Sequence, residues 1–129
     1  IRLSLVGSEM CIRDRQYMAQ AKAFVYAACE DFGIALVEAQ ACGTPVIAYG
    51  KGGALETVLD IHQYPETGTG LFFSEQDPRS LEKTVETFSQ IEHQFNPESC
   101  RTQSAKFSQK IFATSYLAFL EQCCQRFFA

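Results

Sequence analysis

Glu30 and Glu38 bracket the run EDFGIALVE, with Phe32 and Gly33 between them. An ionised carboxylate is an acceptor-only group, well matched to sugar hydroxyls and above all to a pair of neighbouring ones. Gly33 falls where a loop passes into a helix predicted to open near Ile34, and a residue without Cβ lets backbone approach a ligand closely. The amino end of such a helix presents unpaired N–H groups and a partial positive charge, a suitable seat for a diphosphate. In that arrangement Glu38, about one turn into the helix, would accept hydrogen bonds from a ribose diol. Glu30, on the loop, would bind hexose hydroxyls and oppose positive charge developing at an anomeric carbon. Spacing alone also fits a blander role, two surface glutamates that compensate a helix dipole.

The flanking sequence supplies elements that can hold these residues. Apolar runs of strand length alternate with stretches of helical period, which is the pattern of an α/β fold with a parallel sheet. We expect a helix at about Gln16 to Ala21, a buried strand at Ala23 to Ala27, a loop through Cys29 to Gly33 and a helix from Ile34 to Cys42. Gly43 ends that helix, Pro45 leads into a strand at Val46 to Tyr49, and Gly50, Gly52 and Gly53 make a flexible turn before a short helix at Ala54 to Leu59. A loop from Ile61 to Gly70 precedes a third strand at Leu71 to Phe73. Asp77-Pro78 and Asn96-Pro97 each read as an N-cap followed by proline at the first helical position. Leu81, Val85, Phe88 and Ile91 recur at helical spacing behind the first of these. In the tail from about Ser108 to Phe127, Phe112, Tyr116, Phe119, Leu120, Cys123 and Phe127 share one face, expected to pack in the core. Three parallel strands form only part of a Rossmann-like, doubly wound sheet, so further strands are expected upstream. In such sheets ligands bind beyond the carboxyl ends of the strands, and Glu30 follows directly on one of them.

Composition narrows the classes of function. The 129 residues suffice for one ordinary domain, and 47% hydrophobic with 20% charged residues is the make-up of a globular protein that buries a core. A net charge of -4, with no basic stripe, argues against nucleic acid as a partner. No apolar run approaches the roughly 20 residues of a membrane span. The six cysteines are irregularly spaced and read as reduced thiols, and neither His62 nor His93 stands at metal-ligand spacing from them, so both are expected at the surface and no metal site is expected. Residues 1 to 15, IRLSLVGSEMCIRDR, lack a clean period of either kind, with a strand at Leu3 to Val6 as the competing reading. They resemble translated sequencing adapter, and we expect a non-native leader there and the domain proper at residues 16 to 129.

From Ala21 to Val58 the chain resembles the nucleotide-binding half of retaining glycosyltransferases of family four. The resemblance rests on Glu30, Phe32-Gly33 and Glu38, then Ala41-Cys42-Gly43-Thr44-Pro45-Val46, then Gly52-Gly53 with Glu56, and continues more loosely through TGLFF, DPRSLEKTVETF and FSQKIF. It implies the C-terminal half of a GT-B fold. It further implies that Glu30 contacts the donor sugar, that backbone amides of Phe32, Gly33 and Ile34 lie against sugar and diphosphate, and that Glu38 binds ribose. The wording is most similar to bacterial mannosyltransferases, which implies GDP-mannose as co-substrate, no cofactor beyond it and no required metal. The acceptor, a glycan or lipid-linked saccharide, would be bound by a first Rossmann-like half outside this sequence, and the fragment alone is expected to be inactive. A cytoplasmic setting, with peripheral membrane association of the full enzyme, goes with that reading. The sequence departs from the pattern at Cys29, where relatives often have an acidic residue, and in the longer loop around His62 to Pro65. The basic residues that would neutralise a diphosphate are expected upstream. Two alternatives stay open: another GT-B transferase, sucrose-synthase-like or glycogen-synthase-like, and an orphan module that only binds.

Overall fold

The computed structural model describes residues 3–128, with side chains from Ile12 onward; Cys11's thiol and the ends of the expected leader and domain lie outside the described part. Leu3–Gln20 form α1, Phe24–Tyr26 β1, Ile34–Ala41 α2, Val46–Tyr49 β2, Ala54–Thr57 α3 and Gly70–Phe73 β3. Pro78–Ile91 form α4, Pro97–Ala105 α5 and Gln109–Phe128 α6, with one 3-10 turn at Glu92–Gln94. The three strands are parallel in the order β1-β2-β3, with Val25 level with Ile47 and Ile47 level with Leu71. This is a mixed α/β architecture with β1 at one edge.

All four residues of β2 are buried, as a central parallel strand covered on both faces requires. Val46 and Ala48 point to one face, where Leu36 and Ala39 of α2 and Ala54 and Val58 meet them. Ile47 and Tyr49 point to the other, where Leu71, Phe73 and Phe88 of α4 close a second core. The helices therefore lie on both sides of the sheet. On β1, Phe24 and Tyr26 turn toward the α2 face, while Val25, on the opposite face, is left exposed.

The expected helix starts hold. Asp77 Oδ1 accepts from the amides of Arg79 and Ser80 at 2.8 and 3.2 Å, and Asn96 Oδ1 accepts from Glu98 at 2.9 Å. Gly43, at φ +84°, turns the chain just past α2 in a conformation that glycine alone adopts without strain. Gln40 and Gln103, both buried, donate their side-chain amides to the carbonyl of Thr57 and so tie α2 and α5 to the end of α3. His62 and His93 are exposed.

Two expectations are corrected. The chain is already helical from Leu3, so α1 runs through residues read as aperiodic and excludes a strand at Leu3 to Val6. Among the described side chains of α1, Met18 joins the core, while Ile12 and Tyr17 stand exposed. The aromatic face of α6 is not core packing. Phe112, Tyr116, Phe119 and Phe127 are all exposed, Phe127 at 89%, because α6 departs from the body after Ser108 instead of folding back on it. Among the described residues no helix is long and apolar enough to cross a membrane.

Candidate functional site

The loop between β1 and α2 is built by close packing against the turn between β2 and α3. The amide of Gly53 donates to the carbonyl of Glu30 at 2.7 Å. A Cβ at Gly53 would stand 2.3 Å from Cα of Phe32, and one at Gly52 would stand 2.4 Å from the Glu30 carbonyl oxygen. Gly52 also has φ +64°. Two glycines are thus needed where these backbones touch, which accounts for the Gly-Gly pair found by sequence. Gln76, from the segment after β3, donates to the carbonyl of Ala27 at 2.8 Å and fastens the carboxyl end of β1 from the other side.

Gly33 caps α2 in the left-handed conformation at φ +80°, and no side chain caps that end. Its missing Cβ would fall 2.9 Å from Leu36, so a larger residue would be both strained and crowded. Ile34 projects outward and is exposed. Phe32 sets its ring edge against Phe107 at 5.5 Å between centroids and 74° between planes, joining the loop to the junction of α5 and α6.

The carboxyl group of Glu30 accepts a hydrogen bond from the phenol of Tyr26, the last residue of β1. Donating that bond is the main reason the Tyr26 phenol titrates above the usual tyrosine range, with desolvation and the neighbouring charge adding to it. Glu38 lies one helical turn beyond Ile34 on the same stripe of α2 and is exposed. It opens into a cavity of about 440 Å³ between α1 and α2 that is also lined by Asp14, Arg15, Met18 and Cys42. Glu30 does not line this cavity. The structure therefore brings Glu30, Phe32 and Gly33 together with Gly52 and Gly53, and sets Glu38 on the α1 side of the same helix.

Two side chains at this edge escaped the sequence reading. Tyr26 looked like one more apolar strand residue, and its signal was a hydroxyl four positions before Glu30. Lys51 follows β2 with Nζ 5.5 Å from the Tyr49 ring centroid. Its pKa is raised, chiefly by its proximity to the Tyr49 hydroxyl, with the nearby Glu75 and Cys29 adding and desolvation opposing. Cys29 itself is exposed with a free thiol.

Residues 13–107 match the family described as Glycosyl transferases group 1. A curated relative, the D-inositol 3-phosphate glycosyltransferase of Kineococcus radiotolerans, is 43% identical over 60 residues, covering 45% of this chain and 14% of that protein. Among solved structures, the sucrose-phosphate synthase of Thermosynechococcus elongatus superposes with a TM-score of 0.70 at 29% identity, covering 85% of this chain and 27% of its own. The chain thus spans a small part of the length of these relatives. The superposition places the observed sheet and helices in a GT-B architecture.

Proposed function

Since the chain belongs to the group 1 glycosyl transferases, we propose that it is the donor-binding part of a retaining hexosyltransferase, with GDP-mannose as the donor. The uncapped amino end of α2 is the observation that carries this reading. It is flanked by Glu30 on a glycine-clamped loop and followed one turn later by Glu38. A diphosphate at that end meets the amides of Phe32, Gly33 and Ile34 and the positive end of the helix. Glu38 then faces the ribose, in keeping with its open cavity beside α1. Glu30 faces the hexose, where its carboxylate opposes the charge that builds on the anomeric carbon as the bond to phosphate breaks.

In the transfer itself, an acceptor hydroxyl attacks the anomeric carbon on the face the leaving phosphate vacates. Its proton passes to the departing phosphate oxygen, and configuration is retained. The acceptor, a glycan or lipid-linked saccharide, is bound by a first Rossmann-like half that these 129 residues do not include. On this reading the segment binds donor but does not turn it over alone. The likeness to sucrose-phosphate synthase favours, as a second reading, a sucrose-synthase-like transfer on the same donor site. Calorimetric titration of the chain with GDP, UDP and ADP tests the choice. Tightest binding of GDP supports the mannosyl reading, preference for UDP or ADP supports the second, and equal failure of all three contradicts donor binding.

A further inference from the structure

We propose that Tyr26 is a positioning residue for Glu30, fixing which carboxylate oxygen is offered to the donor hexose. The inference rests on the donor-site reading above and adds to it a residue outside the Glu30 to Glu38 motif. Three observations converge on it. Tyr26 is anchored: its ring lies on the α2 face of the sheet against the core of Leu36, Ala39, Val46 and Ala48, and stacks on Phe24 at 6.2 Å between centroids. Glu30 is held at its main chain, where its carbonyl accepts from Gly53. Between these fixed points the phenol donates to Oε1 of Glu30, and among the described residues no donor is assigned to Oε2.

A glutamate on an exposed loop would otherwise sample several rotamers, and ordering it at the moment of substrate binding would weaken that binding. With Oε1 engaged by a residue of the rigid sheet, the side chain is ordered on folding, and Oε2 is left to accept from a hexose hydroxyl. The phenol donates to the carboxylate, a charge-assisted bond, and needs no co-reactant. Phenylalanine at position 26 would fill the same space and leave the core intact, so the hydroxyl can be tested apart from the ring.

The test compares GDP-mannose with GDP on the same chain by calorimetry, for the wild type, Tyr26→Phe, Glu30→Gln and the double variant. The added affinity conferred by the hexose should fall about five- to tenfold in Tyr26→Phe, while affinity for GDP and the melting temperature stay unchanged. The double variant should be no worse than Glu30→Gln. In parallel, carbon-13 tyrosine NMR should show the Tyr26 ring titrating above the usual range in the wild type and shifting back toward it in Glu30→Gln. A wild-type hexose preference that survives in Tyr26→Phe but falls in Glu30→Gln overturns the role of Tyr26 alone, as does a Tyr26 titration indifferent to Glu30. A preference untouched by Glu30→Gln, or no binding of either probe, overturns the site reading and this proposal with it.

Discussion

The amide of Gly53 and the carbonyl of Glu30 are joined by a hydrogen bond of 2.7 Å, which welds the loop after β1 to the turn after β2. The contact is too close for any side chain at Gly53, where a Cβ would lie 2.3 Å from Cα of Phe32. Gly53→Ala should therefore displace the whole loop that carries Glu30, at a cost of about 2 kcal/mol or more, in the range of other overpacked sites. Denaturant unfolding monitored beside GDP titration checks this. Loss of both stability and nucleotide affinity is expected; a variant matching wild type in both would show that the two loops are not coupled.

Cys100 is fully buried on α5, and burial pushes its thiol up to about 11. A thiol whose folded pKa exceeds its unfolded value contributes stability below the unfolded value, near 8.5, and loses it as pH rises toward 11. Unfolding free energy should fall by roughly 3 kcal/mol across that alkaline window in the wild type and by less in Cys100→Ala. Mass spectrometry after brief alkylation at pH 8 gives a second check, with Cys29 and Cys124 labelled and Cys100 spared.

The exposed face of α6 separates packing from periodicity. Phe119→Ser and Phe127→Ser should each change the unfolding free energy of this chain by no more than about 0.5 kcal/mol. Phe88→Ala, in the core beneath α4, should cost about 3 to 5 kcal/mol. Equal losses at Phe119 and Phe88 would restore the aromatic stripe to the core.

These contrasts show what the residues made legible. Strands Val46–Tyr49 and Phe24–Tyr26 announced themselves as short apolar runs, and Asp77-Pro78 and Asn96-Pro97 marked helix starts through chemistry confined to three or four neighbouring residues. Gly33, Gly52 and Gly53 were found because their backbone needs are local to their loops, although the partner of the Gly-Gly turn, Glu30, became apparent only in space. Periodicity gave α6 its helix but not its surroundings, since an apolar stripe reads alike whether or not something covers it. At α1 the reverse occurred: no period was visible, and its described side chains, from Ile12 on, are almost all exposed. Tyr26 stayed hidden for a related reason. Its ring behaves as core while its hydroxyl serves the loop, and a strand pattern registers only the ring.

The division of labour between the two glutamates is most directly examined by steady-state kinetics with GDP-mannose, in a full-length enzyme that carries this segment. Glu38→Ala should raise the donor KM about tenfold or more with a smaller change in kcat, as expected for a lost charged hydrogen bond to ribose. Glu30→Ala should lower kcat about a hundredfold, a much larger effect than the roughly five- to tenfold rise in donor KM that loss of its hexose contact brings, as expected when a group acting on developing charge is removed. Wild-type kcat and KM in both variants would contradict the donor site at the head of α2.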